Sequence, residues 1–213
     1  MIFDLNQICS HFNLKIKGVL HIGAFIGEEL TAYRKLGLRN TILFEPQKHL
    51  YEMVEAKCGG GEQVFNIALG SHPHQSEMFI SKTDGGIYHG SGASSSLLKP
   101  KKHLTEHPTI SFDNTESVTV ECLDTVMQQN NIDTSIYNFL NIDVQGYELE
   151  VLKGAIQTLE NIDAMILEIN RDEMYEGCPM VDDIDHFLSD YNITRALTYW
   201  QSESWGDGLY VRN

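Results

Sequence analysis

The residues of this chain that could do chemistry sit where apolar runs stop. One run leads into the turn His21-Ile-Gly-Ala-Phe-Ile-Gly27, a second ends at Phe44-Glu45-Pro46, and a third ends as Tyr137-Asn-Phe-Leu-Asn-Ile-Asp143. In open α/β sheets, ligands bind outside the carboxyl ends of the strands. A glycine in the first such turn lets backbone approach a bound molecule and brings the following helix close. Many strand-to-helix turns need glycine for geometry alone, so the turn means little by itself. An acid about twenty residues further on, as Glu45 is, can accept hydrogen bonds from both hydroxyls of a ribose. The competing reading of Glu45 is a first-turn acid favoured by a helix dipole. Its distance from the Gly23 turn favours the ligand.

A dinucleotide dehydrogenase would show the same pair of features. Here Gly23-Ala-Phe-Ile-Gly27 departs from the full G-x-G-x-x-G pattern, because position 25 is phenylalanine where close pyrophosphate approach wants glycine. The cofactor expected is therefore one with a ribose and no pyrophosphate. S-adenosylmethionine has a ribose and an adenine but no phosphate.

These ends need strands and helices to position them. Residues 17–22, 40–45 and 64–69 read as buried strands, with helical spacing over 27–36 and at Leu50, Met53 and Val54. Strand, helix, strand, helix, strand predicts parallel strands joined by right-handed crossovers. Further strands are expected over 75–81, 118–120, 137–143, 164–169, 193–199 and 209–212. Helices are expected over 1–14, from Leu123, after Asp143 and over 182–189. The segment 83–108 carries Gly85-Gly86 and Ser94-Ser-Ser96 and is read as a long loop or lid. No internal repeat or linker divides the chain, so one domain over residues 1–213 is expected.

With 213 residues, of which 42% are hydrophobic, the chain is long enough for a substantial core. It has no apolar run long enough for a bilayer and no basic region before its first apolar residues, so neither a membrane span nor a secretion signal is expected. Four scattered cysteines (Cys9, Cys58, Cys122, Cys178) lack metal-ligand spacing and predict a reduced, cytoplasmic protein. A net charge of −15, with Lys99-Pro-Lys-Lys102 as the only basic cluster, disfavours nucleic acid and anionic membranes as partners. Acidity that merely aids solubility is the plainer account of the same charge.

In order and over most of its length, the chain resembles the FkbM family of methyltransferases. The matching stretches are Val19-Leu-His-Ile-Gly-Ala-Phe-Ile-Gly-Glu28, Leu43-Phe-Glu-Pro46, Asn66-Ile-Ala-Leu-Gly70 and Glu121-Cys-Leu-Asp-Thr-Val126. Leu140-Asn-Ile-Asp-Val-Gln-Gly-Tyr-Glu-Leu-Glu-Val-Leu-Lys-Gly-Ala155 resembles the family's signature strand and helix, and Met165-Ile-Leu-Glu168 falls where its next strand ends. The resemblance implies a Rossmann-like α/β fold of the class I methyltransferases: a seven-stranded, mostly parallel sheet with a reversed final strand and helices on both faces. It also implies that Gly23, Ala24 and Phe25 lie against S-adenosylmethionine and that Glu45, followed by Pro46, holds its ribose. Ile67 and Ala68 would flank the adenine, and Asp143 would sit by the methionine end and the acceptor. Two positions depart from the common pattern. His21, facing the cofactor's amino-acid part, stands where an acid is frequent, and Gln145 stands where many members carry glutamate.

Methyl transfer from a sulfonium is an in-line displacement, so positioning contributes much of the catalysis. A sugar-type hydroxyl is a poor nucleophile and benefits from a base, or from a metal that lowers its pKa. Asp143 is the first candidate base and Glu168 the second. The same two residues would be the ligands if a divalent metal takes part, and Asn170 could orient the acceptor. A helix cap is the alternative role for Asp143, and a first-turn acid for Glu148 and Glu150. His89, His103 and His107 could approach the acceptor but read as surface residues. Ser94 to Ser96 could donate to a ligand or merely belong to a flexible loop, and Trp200 and Trp205 could wall a sugar site or be core. The function expected is an O-methyltransferase with a carbohydrate hydroxyl as acceptor. The alternatives are a small-metabolite methyltransferase and a non-catalytic cofactor-binding module of the same fold.

Overall fold

A computed structural model describes residues 3–83 and 91–213; Gly85, Gly86 and His89 of the expected loop lie outside the described residues. In chain order the strands are β1 (Gly18–Ile22), β2 (Asn40–Phe44), β3 (Glu62–Phe65), β4 (Ala68–Leu69), β5 (His74–Thr83), β6 (Ile110–Glu121), β7 (Phe139–Ile142), β8 (Ala164–Asn170), β9 (Ile193–Trp200) and β10 (Trp205–Arg212). The helices are α1 (Leu5–His11), α2 (Leu30–Lys35), α3 (Lys48–Glu55), α4 (His103–Glu106), α5 (Leu123–Gln129), α6 (Glu148–Lys153), α7 (Ile156–Leu159) and α8 (Val181–Ser189).

The principal sheet has seven strands in the order β3-β2-β1-β7-β8-β10-β9. From β3 to β8 all neighbours run parallel, and β10 lies antiparallel between β8 and β9. The α/β fold and its reversed final strand are therefore those expected. The chain winds outward from β1 in one direction and from β7 in the other, so a crevice opens where the two meet.

Side chains of β1 alternate between two cores. Leu20 and Ile22 join one with α5, α6, α7 and α8, while Val19 joins the other with Leu5 and Ile8 of α1, Leu30 and Tyr33 of α2 and Val54 of α3. Burial on both faces is why the central strands read as continuous apolar runs.

Three expectations change in detail. The run 64–69 is not one strand: it breaks at Asn66, whose Nδ2 donates to the carbonyls of Glu45 (3.0 Å) and Pro46 (2.8 Å). Beyond the break, β4 leaves the main sheet and pairs parallel with β6 in a separate three-stranded sheet, β4-β6-β5. The helix expected over 1–14 is shorter. Asp4 caps its start by accepting from the N–H groups of Asn6 and Gln7, and Asn13 beyond its end is left-handed, with φ 52°. The strand expected at 118–120 is the end of the twelve-residue β6.

Candidate active site

Three strand ends are stitched together at the crevice. After β1, the N–H groups of Gly23 and Ala24 both donate to the carbonyl of Phe44, at 3.0 Å each. Gly23 has φ +82°, and a Cβ placed there would lie 1.8 Å from the carbonyl oxygen of Asp143. Glycine is thus required by the close approach of β1 and β7, whatever else it does. Phe25 is left-handed, with φ 50°, and its N–H donates to Glu45 Oε2 at 2.8 Å. The other carboxylate oxygen, Oε1, accepts from the N–H of Gln47 at 2.9 Å. Burial pushes the Glu45 carboxyl up to about 8, against these two backbone donors, which favour its ionised form.

Two clefts open from these ends. The first is lined by Gly23, Phe25, Glu45, Pro46, Ile67, Ala68 and Asp143. The second shares Gly23, Phe25 and Asp143 with the first and reaches His21, Ala24 and Asp207. All the residues expected to bind a cofactor therefore gather on two adjoining clefts. Among the described residues, neither cleft is lined by lysine or arginine.

Gly92, Ala93, Ser95 and Leu97, from the segment read as a long loop or lid, also line the first cleft. Gln47 Nε2 donates to the Gly92 carbonyl at 3.0 Å, and Ser95 Oγ donates to Gln47 Oε1 at 3.3 Å. Ser96 Oγ donates to the Gln145 carbonyl at 2.7 Å. The hydroxyls of Ser95 and Ser96 thus fasten the loop over the cleft.

At the far end, Asp143 and Glu168 meet across Gln145. Its Nε2 donates to Asp143 Oδ1 at 2.7 Å and to Glu168 Oε2 at 2.8 Å. Tyr175, 1% exposed, places its hydroxyl 2.8 Å from Gln145 Oε1 and 2.9 Å from the Ser94 carbonyl, donating to either. Glu168 pairs in register with Asp207 of β10, so their side chains share a face of the sheet. Burial, then the Asp143, Glu148 and Asp207 carboxylates, holds the Glu168 carboxyl well above its usual range. Burial likewise raises Asp143, opposed by the Gln145 donor and reinforced by Asp207.

Asp143 does not cap the signature helix, which starts at Glu148 behind Tyr147 without a side-chain cap. Glu148 Oε1 accepts from the N–H groups of Val144 (3.2 Å) and Gly146 (3.1 Å), which leaves Asp143 facing the clefts. Glu150 binds Lys153 and Ser71, as befits a first-turn acid.

His21 is buried, with Asn141 Nδ2 3.2 Å from its Nε2 and the Tyr33 hydroxyl 3.4 Å from its Nδ1. Burial lowers its pKa, so the imidazole is neutral and offers no charge to a ligand.

Asn170, on the same face of β8 as Glu168, is fully buried with neither side-chain polar atom partnered. Opposite it stands Trp205, whose Nε1 is also buried without a partner. Trp205 packs against the cluster of Met174, Tyr175 and Cys178, and Trp200 against the main core beneath the Arg171 guanidinium, 3.6 Å from the ring centroid. His103 is buried against Phe112 and Tyr175 rather than on the surface, and His107 packs on His103 and the edge of Trp205.

Among the described residues, no group of three or more His, Cys, Asp or Glu could hold a metal ion, and no helix is long and apolar enough to cross a membrane. Asp143 and Glu168 do not fit the metal role considered for them, because the space between the two carboxylates is filled by the Gln145 amide hydrogens.

Residues 21–194 match the methyltransferase FkbM domain. Over 162 residues the chain is 25% identical to the 2-O-methyltransferase NoeI of Sinorhizobium fredii (strain NBRC 101917 / NGR234), a match that covers 75% of this chain and 65% of that relative's length. Magnesium protoporphyrin IX methyltransferase from Synechocystis PCC 6803, solved with bound S-adenosylmethionine, is similar in fold with a TM-score of 0.52. Its sequence identity is 11%, with 98% of this chain and 76% of that one covered. The Sp1610 protein of Streptococcus pneumoniae is similar at a TM-score of 0.50 and 13% identity, covering 100% and 71% of the two chains. Those two likenesses speak for the fold alone. With the domain match running over most of its length, the chain belongs to the FkbM methyltransferase family.

Proposed function

We propose that the chain is an S-adenosylmethionine-dependent O-methyltransferase whose acceptor is a hydroxyl of a neutral carbohydrate. The observation that carries this reading is the meeting of the two clefts at Gly23 and Asp143. One cleft is largely apolar with a buried carboxylate at Glu45, which suits a nucleoside. The other is acidic and polar, which suits an acceptor. The absence of lysine and arginine from the lining, among the described residues, fits a cofactor without phosphate.

S-adenosylmethionine, when bound, supplies an electrophilic methyl carbon on its sulfonium. Glu45 keeps lone pairs beyond those facing Phe25 and Gln47, and these accept from the ribose hydroxyls. Pro46, Ile67 and Ala68 would wall the adenine, Gly23 to Phe25 would lie against the cofactor, and neutral His21 would face its amino-acid end. Asp143 would accept the proton of the acceptor hydroxyl as that oxygen becomes a nucleophile towards the methyl group. A raised pKa, with the Asp207 carboxylate contributing, makes Asp143 a stronger base than an ordinary aspartate. Glu168 is its reserve partner through Gln145. The acceptor cleft carries Glu28, Glu29, Asp143 and Asp207, which disfavours phosphorylated or otherwise anionic acceptors. The name of the relative NoeI supports transfer to oxygen.

Calorimetric titration with S-adenosylhomocysteine, beside NADH and a Glu45→Ala control, tests the cofactor. Saturable binding of the former that the substitution weakens tenfold or more supports the reading (~1.4 kcal/mol). No binding by folded protein refutes it. With the cofactor secured, turnover on a panel of neutral methyl glycosides tests the acceptor. Loss of that turnover in Asp143→Ala with cofactor binding intact separates an enzyme from a binding module.

A further inference from the structure

We propose that the Gln145 amide takes the place of a divalent cation between Asp143 and Glu168, so that the pair is held without a metal and Gln145 is a positioning residue. What the pair does rests on the methyltransferase reading above; how it is held does not.

Glu168 is buried and Asp143 is exposed at the clefts, yet two carboxylates that face each other repel, and a protein can relieve this with a shared proton, a cation or hydrogen-bond donors. Here one nitrogen serves both. Gln145 Nε2 carries two hydrogens and lies 2.7 Å from Asp143 Oδ1 and 2.8 Å from Glu168 Oε2. A cation in the same place would meet those hydrogens rather than lone pairs.

The orientation of the amide is set from its far side, where Oε1 accepts from Tyr175 at 2.8 Å. Its backbone is fixed as well. Gln145 is left-handed, with φ 56°, and its carbonyl accepts from Ser96 at 2.7 Å. Of the neighbouring acids, Glu148 accepts from the Val144 and Gly146 N–H groups through Oε1 while its Oε2 is buried without a partner, and Asp207 accepts from Gln201 Nε2 at 2.7 Å. Magnesium and manganese are commonly held by one or two carboxylates with waters completing the octahedron, so it is the amide donor between the two acids, and not their number, that stands against the ion here.

The consequence is specific. Gln145→Glu replaces the donor by a third carboxylate, and the three acids then enclose a point that a cation must neutralise. Gln145→Met removes the donor without adding charge.

The experiment is calorimetric titration of MnCl2 into wild type, Asp143→Asn, Gln145→Glu, Gln145→Met and Gln145→Glu/Asp143→Asn, each free and loaded with S-adenosylhomocysteine. Manganese affinity is expected to rise at least ~tenfold in Gln145→Glu, since ligand charge count tunes affinity. It should not rise in Gln145→Met and should fall back when Asp143→Asn is added. Saturable, submillimolar binding by wild type that Asp143→Asn removes would overturn the proposal. So would a folded Gln145→Glu protein with no gain. Should Gln145→Glu fail to fold, wild type against Asp143→Asn still decides. Failure of wild type to bind S-adenosylhomocysteine counts against the methyltransferase reading instead, and the titrations of free protein still report on Gln145.

Discussion

Replacing Glu168 by glutamine should make the protein more stable at neutral pH and change how its stability responds to pH. Glu168 is 6% exposed on β8, facing Asp143 through Gln145 and Asp207 across the strand pair. Its folded pKa is raised well above the ordinary carboxylate range, first by burial and then by the Asp143, Glu148 and Asp207 carboxylates. The folded state therefore holds a proton that the unfolded chain has already lost. The contribution of Glu168 to stability is full below its unfolded pKa and is lost as pH rises toward the folded value. Within that window the slope is about −1.4 kcal/mol per pH unit. As pH rises above the unfolded carboxylate range, wild type should accordingly lose stability relative to Glu168→Gln, at up to about 1.4 kcal/mol per pH unit. The glutamine keeps the shape and an acceptor for Gln145 Nε2, while its amide donates toward the neighbouring acids. Urea unfolding of both proteins at pH 5, 6, 7 and 8 measures the difference directly. Parallel curves across that range would refute a charged, proton-holding role for this group.

Gly23→Ala should destabilise the fold by about 3 kcal/mol, from a left-handed alanine and a Cβ set 1.8 Å from the Asp143 carbonyl. A loss below 1 kcal/mol in urea unfolding would mean that β1 and β7 can part easily. Tyr175→Phe leaves the Gln145 and Ser94 oxygens without their buried donor and should cost about 1–3 kcal/mol. It should also quicken proteolysis of the 91–97 segment, and an unchanged cleavage rate would sink the idea that Tyr175 fastens it. Because Glu45 is pushed up to about 8 and a ribose needs its ionised form, S-adenosylhomocysteine affinity should rise with pH and level off near that value. Calorimetry in buffers of differing ionisation heat should show proton release at pH 7, and no release would contradict the link.

The central strands and their acid ends were legible because β1, β2, β7 and β8 are buried on both faces and read as unbroken apolar runs. That same signal hid the break at Asn66. Apolar residues continue on both sides, and only tertiary hydrogen bonds reveal that β3 and β4 serve different sheets. Most of β6 was missed because its first half alternates little and is largely exposed. Asp207 was lost for another reason. Flanked by glycines it resembles a turn, yet those glycines lie inside β10, where a Cβ at Gly206 would meet the Tyr199 carbonyl at 2.3 Å. The hydrogen-bonding reach of Gln47 across to Gly92 had no local signature at all.

The placement of β10 also bears on how the molecule assembles. β9 precedes β10 in the chain but lies outside it, so β9 cannot pair with β8 first. The hairpin of β9 and β10 is local, closed by residues 201–204, and such contacts form early. Its insertion against β8 is a longer-range event, and it brings Asp207 into the company of Glu168. The cost of crowding acids together is thereby deferred to a late docking step. We expect refolding to quicken on mild acidification while the isolated hairpin forms at a rate indifferent to pH.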